Sequence, residues 1–133
     1  MVAVTKKIPY DELINNFDKN KDKIAIFTCN TCVRMVNETG GADEMEALSD
    51  RLEKDGFTVS ERVVLTAACF EDYIEVAPLG EEWTIGLVLA CDSGLGIVRE
   101  FLKNTKKPII PGVVTLGVQE GRTPKPVVLL EEK

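Results

Sequence analysis

The chain has 133 residues, 44% of them hydrophobic and 29% charged, and 16 Lys and Arg against 22 Asp and Glu give a formal charge of −6. That is the size and composition of one globular domain with a real core. No basic run offers a nucleic-acid face, no apolar segment approaches the roughly 20 residues that span a bilayer, and positions 1–7 lack a signal-like apolar stretch, so a cytoplasmic protein without nucleic-acid or membrane partners is expected.

In chain order, Pro9 with Tyr10, Leu13, Ile14 and Phe17 has helical spacing and predicts an N-terminal helix over about 9–19. A charged turn leads to Lys23–Phe27, apolar on consecutive positions, the pattern of a strand covered on both faces. Gly40-Gly41 breaks the chain before an amphipathic helix over 42–55, whose Met45, Leu48 and Leu52 share a face and whose C-terminal cap is Gly56. A second strand is expected over 57–65, a short helix over 70–77 and a third strand over 85–90. A helix over 93–103 follows, with Asp92 or Ser93 as N-cap and Ile97, Val98, Phe101 and Leu102 buried. Pro108–Pro111 predicts a short fourth strand, 113–118 a segment that pairs somewhere, and 127–130 a final apolar run. Strands alternating with helices imply a small, mostly parallel sheet with helices on both faces, a three-layer Rossmann or flavodoxin-like arrangement.

The chemistry lies in the cysteines. Cys29 and Cys32 follow the first predicted strand, Cys69 follows the second, and Cys91 ends the third. The carboxyl ends of parallel strands share one edge, where open α/β folds form their ligand crevices, so four thiols distant in sequence would converge. Free cysteine often simply packs in a core, but packing does not explain why every cysteine falls at a strand exit. The chain has no histidine. Structural zinc favours a tetrahedron of four thiolates, usually as two close pairs, whereas here one pair joins two separated singles. A [4Fe–4S] cluster also takes four thiolates and accepts irregular spacing on a folded scaffold. A dithiol oxidoreductase reading of Cys29-x-x-Cys32 leaves Cys69 and Cys91 without a role.

The run Ser93-Gly94-Leu95-Gly96 suggests a nucleotide loop, but the third glycine of that fingerprint would fall at Arg99. These small residues, and Gly40 and Gly41, instead suit close backbone approach, with amide N–H groups aimed at thiolate or sulfide. For Gly40 and Gly41 an ordinary loop explains the residues equally well. Trp83 and Tyr73 read as core or interface residues. No recognisable catalytic arrangement of Ser, Lys or carboxylate is present.

Several motifs together resemble the accessory domain of bacterial methylenetetrahydrofolate reductase, the C-terminal or separate small subunit of acetogens. They are Cys29-Asn30-Thr31-Cys32, Gly40-Gly41, Lys54-Asp55-Gly56, Thr66-Ala67-Ala68-Cys69, Leu89-Ala90-Cys91 and Val114-Thr115-Leu116-Gly117, spread over about 23–117. The resemblance implies that Cys29, Cys32, Cys69 and Cys91 are ligands, of an iron–sulfur cluster or, in the zinc-finger-like description, of zinc. It also implies a flavoprotein catalytic subunit as partner. The expectation is therefore a single metal-binding domain over 1–133, with its core over about 23–117 and a C-terminal extension over about 118–133. Its role would be electron transfer between that flavoprotein and a redox donor protein, as a non-catalytic subunit. The alternatives are a structural zinc subunit and, behind it, the dithiol oxidoreductase.

Overall fold

The structure, a computed structural model, describes residues 2–119 and 128–129. Four strands form a parallel sheet: β2 (Lys23–Cys29), β3 (Thr58–Leu65), β4 (Ile85–Leu89) and β5 (Ile109–Pro111), in the spatial order β3-β2-β4-β5. The connections therefore run one way from β2 to β3, jump back over β2, and continue the other way from β4 to β5. The order reverses between β2 and β4, which makes that junction the topological switch point.

The consecutive apolar run explains why β2 is central. Ile24, Ala25, Ile26 and Phe27 are all fully buried, so both faces of the strand are covered. Burial of each large side chain contributes about 1.5–3 kcal/mol, which makes this strand the axis of the core. Helix α3 (Ala42–Lys54) packs against β2 and β3, and α5 (Asp92–Leu102) packs against β4. Met45 and Leu52 of α3 and Val98 and Leu102 of α5 are the buried contacts. The α3 helix closes at Gly56, whose φ of 97° is the left-handed value a C-terminal glycine supplies. Trp83 packs edge-on against Phe27 in this core, with ring centroids 6.0 Å apart, and its indole N–H donates to Gly80 O.

A second, antiparallel sheet lies beside the first and consists of β1 (Val2–Lys7), β6 (Val113–Gln119) and β7 (Val128–Leu129), in the order β1-β6-β7. Gly112 alone separates β5 from β6. Its amide donates to Val88 O, and a Cβ there would come within 2.5 Å of Leu89 Cδ2. A larger residue there would have to displace the end of the Leu89 side chain as the chain passes from one sheet to the other beside β4.

Three expectations are corrected. The N-terminal helix is a single turn, α1 (Tyr10–Leu13), continued as a 3-10 turn over Ile14–Asn16, and Phe17 is already extended. Asn16 stops it: its side-chain amide donates to Leu13 O, taking a carbonyl the helix would need. The sheet is not simply one parallel sheet, because residues 2–7 form a strand that composition did not flag, and 113–119 is its partner. Phe101, expected inside, is 39% exposed, since the buried stripe of α5 passes through Leu95, Val98 and Leu102 instead. The stretch 120–127 and residues 130–133 of the expected C-terminal extension lie outside the described residues. Among the described residues no helix is long and apolar enough to cross a membrane.

Candidate metal centre at the carboxyl edge of the parallel sheet

Cys29 is the last residue of β2 and is buried. Its sulfur lies 2.8 Å from Thr31 Oγ1 and accepts the Ala68 N–H at 3.4 Å. That second contact ties the β2 exit to the turn after β3, because Asn30 N also donates to Leu65 O and prolongs the ladder by one bond. Cys32 opens the short helix α2 (Cys32–Met35) and is half-buried. Cys69 sits in the turn that ends β3 and is exposed, beside the one-turn helix α4 (Glu71–Glu75). Cys91 follows β4 and is the N-cap residue of α5, in place of the expected Asp92 or Ser93. All four thiols are free.

The thiols lie within electrostatic reach of one another. Burial pushes the Cys69 thiol up first, and the nearby Cys91 and Cys29 sulfurs push it further, with Cys32 adding a smaller effect. Burial also raises Cys91, with Cys32 and Cys29 adding to it, while the amide N–H groups of Gly94 and Ser93 pull the other way by favouring the thiolate. Those amides point at the sulfur without completing a full side-chain cap on α5. Each of the four sulfurs thus takes part in one local field. As placed, no group of three or more Cys, Asp or Glu side chains among the described residues stands at the spacing that encloses an ion.

The residues around the thiols tie these strand exits together. Thr28, fully buried, accepts the Gly41 N–H at 2.8 Å and donates to Leu89 O at 3.2 Å, binding the ends of β2 and β4 and the Gly40-Gly41 turn together. Removing that hydroxyl would leave a buried amide and a buried carbonyl unpaired, a cost of about 1–3 kcal/mol for each group. Gly94 brings α5 against the Cys69 turn: a Cβ there would lie 2.8 Å from Ala68 Cβ and 2.9 Å from Ala90 Cβ. Gly40 and Gly41 act elsewhere. Their amides donate to Val33 O and Thr28 Oγ1, and added Cβ atoms would strike Val33 Cγ2 and Arg34 Cβ. They seat the helix that carries Cys32, while their N–H groups are engaged within the chain.

Thr115 of β6 is a further residue at this edge that the sequence does not mark as one. Its hydroxyl accepts the Asp92 N–H at 2.9 Å, so the antiparallel sheet caps the helix that Cys91 begins. The only hint in the sequence was its place in Val114-Thr115-Leu116-Gly117. No protein-family model, no curated protein and no solved structure matches this chain.

Proposed function

We propose that Cys29, Cys32, Cys69 and Cys91 hold a [4Fe–4S] cluster, and that the chain docks on a flavin-containing methylenetetrahydrofolate reductase subunit to move electrons between it and a redox donor protein in the cytoplasm. The observation behind this reading is the placement of all four cysteines at the carboxyl-end exits of three neighbouring parallel strands flanking the switch point. The donor set fits the group: it is thiolate throughout, and backbone N–H groups of Ala68, Ser93 and Gly94 are directed at sulfur, the kind of contact that tunes cluster potential. Such a cluster takes up and releases one electron at a time. The chain's own part is to bind through four thiolates, to keep water from Cys29, and to leave the Cys69 side open to a partner.

Apolar side chains beside Cys69 support docking there. Phe70 is 62% exposed and Val76 79%, with Tyr73 stacked edge-on against Phe70. The dithiol reading is weaker, because it uses Cys29 and Cys32 alone and gives no role to Cys69 and Cys91 at the neighbouring strand exits. In this reading the parallel sheet is the middle of a three-layer, flavodoxin-like fold, as its strand order and the packing of α3 and α5 suggest.

The test is anaerobic purification followed by iron, sulfide and zinc analysis and a visible spectrum. The expected result is about four irons and four sulfides per chain with brown colour, lost in Cys69→Ala. One zinc and no colour would replace the proposal with a structural zinc subunit. Full metal content in Cys69→Ala would overturn the four-ligand assignment.

A further inference from the structure

Away from the thiols, the link between β1 and α1 closes over α3 and leaves a cavity of about 300 Å3. Its apolar wall is formed by Ile8, Leu13, Leu48 and Leu89, side chains from four different elements or links. The rim is polar and carries Lys7, Glu44 and Arg51. Lys7 and Glu44 neutralise each other at 2.7 Å. Arg51 is placed differently: its guanidinium stacks over the Tyr10 ring, 3.6 Å from the centroid, and among the described residues it forms no ion pair. A stacked guanidinium is held in position by the ring while its N–H fork stays available, and that fork matches a carboxylate in plane and spacing.

We propose that this cavity binds a small amphipathic carboxylate, with its apolar body against Leu13, Leu48 and Leu89 and its carboxylate on Arg51. The volume lies at the small end of ligand pockets and suits on the order of ten non-hydrogen atoms, taking about 30 Å3 for each. A nucleotide is too large, and an amine would meet the one rim charge that is not already neutralised. The chain as a whole is acidic, with a net charge of −6, so long-range attraction does not draw anions here and recognition rests on the local Arg51 contact. The assignment is independent of what the thiols hold.

Heptanoate, hexan-1-ol and hexylamine share a six-carbon hydrocarbon body and differ in head group, so they separate charge recognition from apolar filling. Amide chemical-shift titration of the full chain is expected to show saturable heptanoate shifts at residues 8, 10–13, 48, 89 and 112. Binding of the other two probes should be weaker by about tenfold, the effect of one charge-assisted hydrogen-bonded contact. Arg51→Gln should abolish the head-group preference while leaving hexan-1-ol unchanged. Ala47→Phe, an exposed position on the cavity lining, should block all binding without touching the core. Equal binding of the three probes, shifts scattered away from the cavity, or an intact preference in Arg51→Gln would each overturn the assignment.

Discussion

At the scale of single residues, the thiol edge depends on one missing methyl group. Gly94 lets α5 approach Ala68 so closely that an alanine at 94 must push the Cys69 turn or the helix outward, since the atoms it would meet are short Cβ groups with no rotamer to give. Gly94→Ala is therefore expected to cost about 1–3 kcal/mol in denaturant unfolding, because overpacking gains nothing in return. On the proposed four-thiolate assignment it should also separate Cys69 from Cys91 and lower the metal bound per chain. Unchanged stability and metal content would mean that the close approach is incidental. Gly96, two residues on, is the internal control: a Cβ there meets nothing within 4 Å. Alanine at 96 should stabilise the helix by roughly 0.5–1 kcal/mol, the usual gain over glycine inside a helix. A reader of the sequence sees two glycines in the same helix and has no way to rank them, because the difference lies in Ala68, a residue 26 positions before the first.

At the scale of elements, the short helix α1 is held less by its own propensity than by its contact with α3. Four residues form too short a helix to stand alone in water. Tyr10 anchors it by donating its hydroxyl to Asp55 Oδ2 at 2.6 Å, with Arg51 over the ring. Burial, followed by the Asp55 carboxylate and then more weakly Asp11, pushes the Tyr10 phenol up to about 12, against a partial opposing pull from Arg51. The neutral phenol is thus favoured in the folded chain. Its contribution to stability is fully present below about pH 10, the ordinary phenol value, and is lost as pH rises through about 12. Absorbance at 295 nm in a Tyr73→Phe background isolates this titration, since the chain has two tyrosines. The midpoint should fall in Asp55→Ala but stay above the ordinary value, because burial is the larger cause. A midpoint near 10 before that substitution would refute the anchor.

These two elements also mark what the sequence carries and what it does not. The strands of the parallel sheet were legible because continuous apolar runs such as Ile24–Phe27 have one physical explanation, burial on both faces. The glycine at 56 was legible because a helix end demands a left-handed residue. The N-terminal strand was not, since Val2–Lys7 has neither clean alternation nor a nearby partner. Its ladder lies more than a hundred residues away, where Val2 meets Gln119 and Lys7 meets Val113. For the site, positions gave the four cysteines and their strand exits. Thr28 and Thr115 stayed hidden, because a threonine becomes a pin or a cap only through the element opposite it.

At the scale of the whole molecule, two sheets joined at Gly112 need not share one stability. The parallel sheet contains the fully buried β2, whereas β1 lies in a small sheet whose partner strand shows Val114 and Leu116 at the surface. Local opening free energy follows buried apolar contact, so β1 amides should exchange with deuterium well before those of Ile24–Phe27. Native-state hydrogen exchange decides this, and equal protection in the two sheets would make the molecule a single cooperative unit.

The pairing of β1 with β6 also sets an order in time. Closing a loop of more than a hundred residues is entropically unfavourable, and non-local pairings form late. All four cysteines precede residue 92, so each is synthesised before Thr115. Until β6 arrives, the Asp92 amide lacks its Thr115 acceptor and the edge lacks its neighbouring sheet. The growing chain thus passes through an interval in which every thiol has been made and the structure beside them is still open, and β6 closes it from the side.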